Sequence, residues 1–252
     1  MFITETNGKT YLYDGTFEGL LTIVFDCYIA KELPLQIFPN QTYQNNLLDD
    51  IEIITTDFVK ADRIFYGIVK NISYDTLYQN YYAFLSEDPQ KEKAIISYLV
   101  NGFYIGPRIN TMLSIDFVFT VHRLRKRMLA ESHRLKGLLR FQEVGNNLYY
   151  ASIHPDNNVI ENLGHHFIRR LPKQNFLIHD QKRELCFIYH AGKYQIIPSI
   201  DLMIPSITQE EQYYQSLWKV FFKTIAIPER KNTRLQMQFM PKKYWQDLVE
   251  LS

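Results

Sequence analysis

The pattern of apolar residues changes at Lys136-Gly137, and that change constrains the fold more than any other feature of the chain. Before it, apolar residues recur at helical spacing. After it, they fall in short runs of strand length separated by turn residues. Such a chain is expected to be α+β: a helical N-terminal half packed on an antiparallel-sheet C-terminal half, closing with two helices. Residues 1–137 would form a mainly helical lobe and 138–252 a sheet lobe with helices, as two domains or as two lobes of one.

Local signals fill in this outline. Lys9–Tyr13 reads as a strand, Asp14-Gly15 as a turn, and Thr16 as the cap of a helix running to about Ala30. Ile51–Thr55 reads as a strand. Helices are expected from Thr56 or Asp57, from Ser73, and from Asp88-Pro89 to a C-cap at Asn101-Gly102. A long helix follows from about Leu113 to Leu135. Gly145-Asn146-Asn147 joins strands Leu138–Val144 and Leu148–Ile153 into a hairpin. Asp156–Asn158 can cap a helix, and strands follow at Phe176–His179, Leu185–Tyr189 and Tyr194–Ile197. Thr208 with Glu211 forms a capping box, and Pro241 can open a last helix.

The long helix carries a basic face. At about 100° per residue, Arg123, Arg127 and Arg134 fall within about 40° of one another. His122, Lys126 and His133 form the next stripe, with Glu131 as the nearby acid. Phe117, Val121, Leu124, Met128 and Leu135 lie opposite. Such a face suits phosphate, to which arginine presents paired donors; a solvated face reads the same way. The C-terminal block of Lys219, Lys223, Arg230, Lys231, Arg234, Lys242 and Lys243, followed by Tyr244 and Trp245, allows the same two readings. The formal net charge is only +1, so a nucleic-acid surface needs segregated rather than net charge.

Five of the seven histidines lie between Glu131 and Arg183. His166, His179 and Asp180 are candidate acid–base groups. His154 and Asp156 are weak candidates for a metal site, because short His-x-Asp spacings carry little information and adjacent strand residues point apart. Hydrogen bonding, with a histidine oriented by a carboxylate, is the plainer use. Asp14 and Glu18 make a carboxylate pair, which a turn and a helix cap also explain. No nucleophile elbow, phosphate loop or dinucleotide fingerprint occurs. The two cysteines, Cys27 and Cys186, lack metal-ligand spacing and fit a reducing compartment. No resident cofactor is expected. The N-terminus lacks a basic, then apolar leader, and no run approaches membrane-spanning length, so a soluble cytoplasmic protein is expected.

Several phrases carry a family likeness. They are Tyr13-Asp-Gly-Thr-Phe-Glu-Gly19, Glu131-Ser-His-Arg-Leu-Lys-Gly-Leu-Leu-Arg-Phe141, Ala151 to Pro155, His166-Phe-Ile-Arg169, Ile178-His-Asp180 with Lys182-Arg183, and Gln238-Phe-Met-Pro-Lys-Lys-Tyr-Trp245. In this order, over nearly the whole chain, they resemble a bacterial family of unknown function described as DNA metabolism or DNA repair proteins. The resemblance implies a DNA context. Members of that family are encoded beside a DNA-modification or repair protein of the radical-SAM class, and similar domains are fused to uracil-DNA-glycosylase-like domains. The resemblance brings no catalytic residues with it.

The expected function is therefore a DNA-binding accessory protein of a repair or modification system, partnered by a radical-SAM protein. Arg123, Arg127, Arg134, Arg140, Arg169, Arg170 and Arg183 are the expected phosphate contacts. Two alternatives stand beside it: a metal-assisted hydrolase acting on DNA or nucleotides, and a protein-interaction partner without DNA binding.

Overall fold

The computed structural model describes residues 2–44, 46, 49–199, 206–230 and 232–251. Lys231, part of the expected basic block, lies outside the described residues. The chain divides into two compact units, Met1–Leu129 and Ala130–Ser252.

The first unit is built on strand β1 (Thr10–Tyr13), buried along its whole length. It pairs in parallel with β2 (Gln36–Pro39) on one side and β3 (Ile51–Ile53) on the other. Helix α1 (Phe17–Ala30) starts where Thr16 Oγ1 accepts from Gly19 N, and ends at Lys31 in the left-handed region (φ 60°). Asp57 and Ser73 cap α2 (Phe58–Asn71) and α3 (Tyr74–Phe84), as the sequence leads one to expect. Leu20, Ile23 and Val24 of α1 share one core with Ile64 and Ile68 of α2. Helix α4 (Lys91–Ile105) supplies Ile95 and Leu99 to it.

One expectation changes here, while the turn expected at Asp14 holds. The helix α4 does not stop at Asn101-Gly102; it runs on to Ile105 and ends at Gly106 (φ 74°). Gly102 instead allows a close approach, since a Cβ there would lie 2.8 Å from Ile72 Cδ1 and displace the end of that side chain. Asp14 is a turn residue, accepting from Thr16 N (2.9 Å) and Thr56 Oγ1 (2.6 Å).

Helix α5 (Asp116–Leu138) crosses the boundary between the units, and Gly137, where the sequence pattern changes, is itself helical. Its stripe of Val121, Leu124, Met128 and Leu135 is buried.

The second unit holds a five-stranded sheet in the order β4-β5-β6-β7-β8. The strands are β4 (Gln142–Glu143), β5 (Leu148–Ile153), β6 (Asn175–Asp180), β7 (Leu185–His190) and β8 (Lys193–Pro198). The α+β class holds, with a helical first half, a sheet in the second half and two helices after it. The sheet, however, is mixed and not antiparallel throughout, because β5 and β6 run parallel. The helix between them, α6 (Ile160–Arg170), makes the crossover that parallel neighbours require. The hairpin turns at Asn146-Asn147 and Ala191-Gly192 both have positive φ at their two central residues, the twist-matched form for tight hairpins.

Strand alternation gives the sheet two unlike faces. Ala151, Ile178 and Phe187 lie side by side on one, while Ser152, His179 and Cys186 lie side by side on the other. The apolar face receives α6 so closely that a Cβ at Gly164 would lie 2.2 Å from the Phe187 ring. That ring is fully buried and stacked between Phe176 and Tyr194, so it has nowhere to move. Gly164→Ala is therefore expected to destabilise the protein by about 2 kcal/mol, read as a lower urea midpoint at unchanged slope.

Helix α7 (Gln209–Ile225) follows, capped by Thr208 Oγ1, which accepts from Glu211 N, and then the short α8 (Thr233–Phe239). The Glu211 carboxylate does not close a capping box; it accepts from Glu143 N at 3.2 Å and so ties α7 to β4. After Pro241 the chain makes a 3-10 turn over Lys242–Asp247 rather than an α-helix. Among the described residues, no helix is long and apolar enough to cross a membrane.

Candidate nucleic-acid interface

Glu131 is the polar centre of the second unit. It is buried and accepts from five donors. These are the backbone N–H groups of Asp156 and Asn157 (2.8 Å each), Asn157 Nδ2 (2.7 Å), Lys243 Nζ (2.9 Å) and Tyr244 OH (2.6 Å). Burial opposes its ionisation, but the bonds from Tyr244, Asp156, Lys243 and Asn157 outweigh burial and hold its carboxyl at about 2. Its own burial and the same contact push the Tyr244 hydroxyl up to about 12. Lys243 also contacts the Asp156 carboxylate. The expected helix cap at Asp156–Asn158 is thus replaced: α6 starts behind Val159 without a side-chain cap, and Glu131 takes the free N–H groups.

The histidines do not gather in one cleft. His179 is buried; its Nδ1 meets Tyr150 OH at 3.0 Å and its Nε2 meets Ser199 Oγ at 2.9 Å. Burial drives its pKa down, with Asp180 opposing and His154 adding to the fall. A neutral imidazole between two hydroxyls is a hydrogen-bonding element. Asp180 is also buried, and accepts from Lys182 N, Arg183 N and Arg183 Nη1 (2.8 Å). His154 is held by Asp247, whose two carboxylate oxygens both lie 3.1 Å from Nδ1. Among the described residues, no three histidine, cysteine or carboxylate side chains converge as a metal site.

The seven arginines divide into two groups. Arg140 makes a two-bond clamp on Glu250 (2.6 and 3.3 Å) and donates to the carbonyls of Gly137, Leu138 and Leu139, closing the end of α5. Arg183 is spent on Asp180 and on the carbonyls of Pro155 and Asp156. Arg123 and Arg127 both face Asp88, at 3.6 and 3.8 Å. Arg134 is half-buried, and Arg169 and Arg170 are exposed at the end of α6. Among the described residues, no carboxylate lies within ion-pair distance of these last three.

Arg169 and Arg170 belong to a cationic patch. His166 is pushed below its ordinary pKa by burial and then by Lys136, Arg169 and Arg170 together. Lys136 and Arg170 line one groove of about 460 Å³ with Phe141, Tyr149 and Gln174. Basic residues in a last helical turn are favoured by the helix dipole alone. The groove goes beyond that: Lys136 and Arg170 share it with no carboxylate among its described lining residues, and cations held together in this way attract anions.

The sequence profile of DUF4130, a domain of unknown function, matches residues 89–250. The chain belongs to the DUF4130 family. No curated protein and no solved structure matches the chain. The DUF4130 segment contains Glu131 with all its partners, the polar sheet face and the cationic groove, whereas β1 to β3 and α1 to α3 precede it. The sequence pointed to Arg169, Arg170 and His166. It carried no signal for Lys136 or Tyr149 as neighbours, since their approach depends on how α5, α6 and β5 pack.

Proposed function

We propose that the chain is a cytoplasmic DNA-binding accessory protein of a repair or modification system, working with a radical-SAM partner. The observation that carries DNA binding is the patch of Lys136, Arg169 and Arg170 around a neutral His166, with no carboxylate in ion-pair distance of these cations among the described residues, beside a groove with Tyr149. Cations of this kind contact phosphate, and a groove with a ring at its wall can admit a sugar or base edge. The repair context and the radical-SAM partner rest on the sequence resemblance. The buried, unpaired Cys27 and Cys186, whose thiols burial raises to about 12, suit a reducing cytoplasm.

Fluorescence anisotropy with single-stranded and duplex oligonucleotides over a salt series tests the reading. Affinity should fall steeply with salt as counterions are released. Absence of binding to either form at low salt would remove it.

One observation favours a second reading, a hydrolase acting on DNA or nucleotides. Asp247 orients the half-buried His154 through Nδ1, the usual way to prepare the other ring nitrogen as a general base. Turnover of an oligonucleotide or nucleotide that His154→Ala abolishes without loss of fold would support it.

A further inference from the structure

Ahead of the DUF4130 segment, α1, α2 and α3 enclose a pocket of about 360 Å³ that none of the roles above uses. Its walls are aromatic: Phe17, Phe65, Tyr74, Tyr78 and Tyr81. Phe17 meets Tyr81 edge to face at 5.3 Å, and Tyr74 meets Tyr78 at 4.7 Å with their hydroxyls 2.7 Å apart. Two exposed carboxylates complete it, Glu18 from α1 and Asp62 from α2, and among the described residues no lysine or arginine lines it. The cations beside Asp62 on α2 are used elsewhere. Lys60 pairs with Asp26 at 2.7 Å, and Arg63 lies over the Phe25 ring at 5.0 Å. Among the described residues, neither Glu18 nor Asp62 is in an ion pair.

Ring faces carry negative quadrupole potential, so rings and carboxylates in one pocket favour a cation and repel phosphate. Between the two biological cations, a planar guanidinium can both stack on a ring and bond a carboxylate through paired donors. The surface around the pocket extends well past one small molecule. Phe58, Val59 and Tyr66 of α2 are 69, 70 and 68% exposed. A second groove, of about 470 Å³, shares Asp62 and is lined by Val59, Arg63, Tyr66, Gly67 and Lys70, so the acidic anchor belongs to the first pocket and the second groove carries charges of both signs. Exposed aromatics around an acidic pocket, with charged residues at the adjoining groove, are the composition of a protein-binding hot spot.

The geometry points to a docking site for a partner protein: an arginine, carried on an apolar segment, enters between Glu18 and Asp62 while the segment covers the outer face of α2. This site is independent of DNA binding.

The test uses the full chain labelled with fluorotyrosine, the Tyr78 resonance being assigned with Tyr78→Phe. Short amphipathic peptides of leucine and alanine with a central arginine, lysine or norleucine are titrated in, and N-acetylarginine amide in a separate arm. The arginine peptide should give a saturable shift at Tyr78 and bind more tightly than the other peptides. Glu18→Gln with Asp62→Asn, both at exposed positions, should weaken it about tenfold or more. Equal binding of the norleucine peptide, no effect of the double variant, or no binding by any peptide would overturn the proposal. So would N-acetylarginine amide binding as tightly as the peptide, which would make the pocket a small-molecule site. Sedimentation showing a dimer that the double variant dissolves would overturn it in favour of a second copy of this chain.

Discussion

Glu131→Ala is expected to lower the unfolding free energy by about 3–5 kcal/mol at pH 7, the usual result of removing one partner from a buried charge network. Loss of the carboxylate leaves two backbone N–H groups, at Asp156 and Asn157, and the Tyr244 hydroxyl without their acceptor. Each buried donor left unmet carries its own desolvation cost. Tyr244→Phe removes a single donor and should cost only about 1 kcal/mol. The pH dependence separates charge from packing. The folded carboxyl sits at about 2 against an ordinary 4.5, so the folded state binds fewer protons than the unfolded state between those values. Its contribution is complete above pH 4.5, shrinks as pH falls, and is gone below about 2; the interval corresponds to roughly 3 kcal/mol. Urea unfolding of the wild type and Glu131→Gln across pH 2 to 7 should therefore show curves that stay parallel above pH 5 and converge below it. A difference unchanged down to pH 2 would mean that Glu131 acts through shape and not charge.

Glu131 also shows what the sequence could and could not disclose. Features set by near neighbours were legible. Thr16, Asp57, Ser73 and Thr208 cap the helices expected of them, because the capping oxygen and the N–H it meets lie two or three residues apart. The buried stripe of α5 followed from its period. Partners far apart in sequence were not legible. Glu131 reads in the sequence as the lone acid of a basic helix, yet its donors lie 25 to 113 residues away. Arg140 reads as a phosphate contact, and its carboxylate lies 110 residues on. The parallel sheet of the first unit was half legible: β1 and β3 are expected and β2 is not. Strands of three or four residues carry too little alternation to stand out, and β2 ends on a proline. The mixed sheet of the second unit follows the same logic. Four strands were readable in place, but the expected strand Leu138–Val144 shrinks to Gln142–Glu143 because α5 runs on to Leu138, and the order that sets β5 beside β6 depends on α6 crossing between them.

Reversing charge at the cationic groove should separate binding arginines from structural ones. Arg169→Glu with Arg170→Glu is expected to weaken DNA binding by at least about a hundredfold at moderate salt. The slope of log affinity against log salt should fall by about two, one for each phosphate that is no longer neutralised. Stability should change little, because both side chains are exposed at a helix end and substitutions there stay within roughly 0.5 kcal/mol. Arg123→Glu with Arg127→Glu makes the informative comparison. Both guanidinium groups already face Asp88, so their field on a nearby phosphate is partly cancelled. That pair should shift affinity by only a fewfold through net charge. Arg140→Glu cannot serve as a probe, since it would set two carboxylates against each other at Glu250 and unseat the end of α5. If both double variants weaken binding equally and the salt slope does not change between them, DNA responds to overall charge and the groove has no special role. If only the Arg169–Arg170 pair matters, the next measurement is Tyr149→Ala with single-stranded against duplex DNA. A ring that stacks on a base contributes about 1–3 kcal/mol and should do so only where the bases are unpaired.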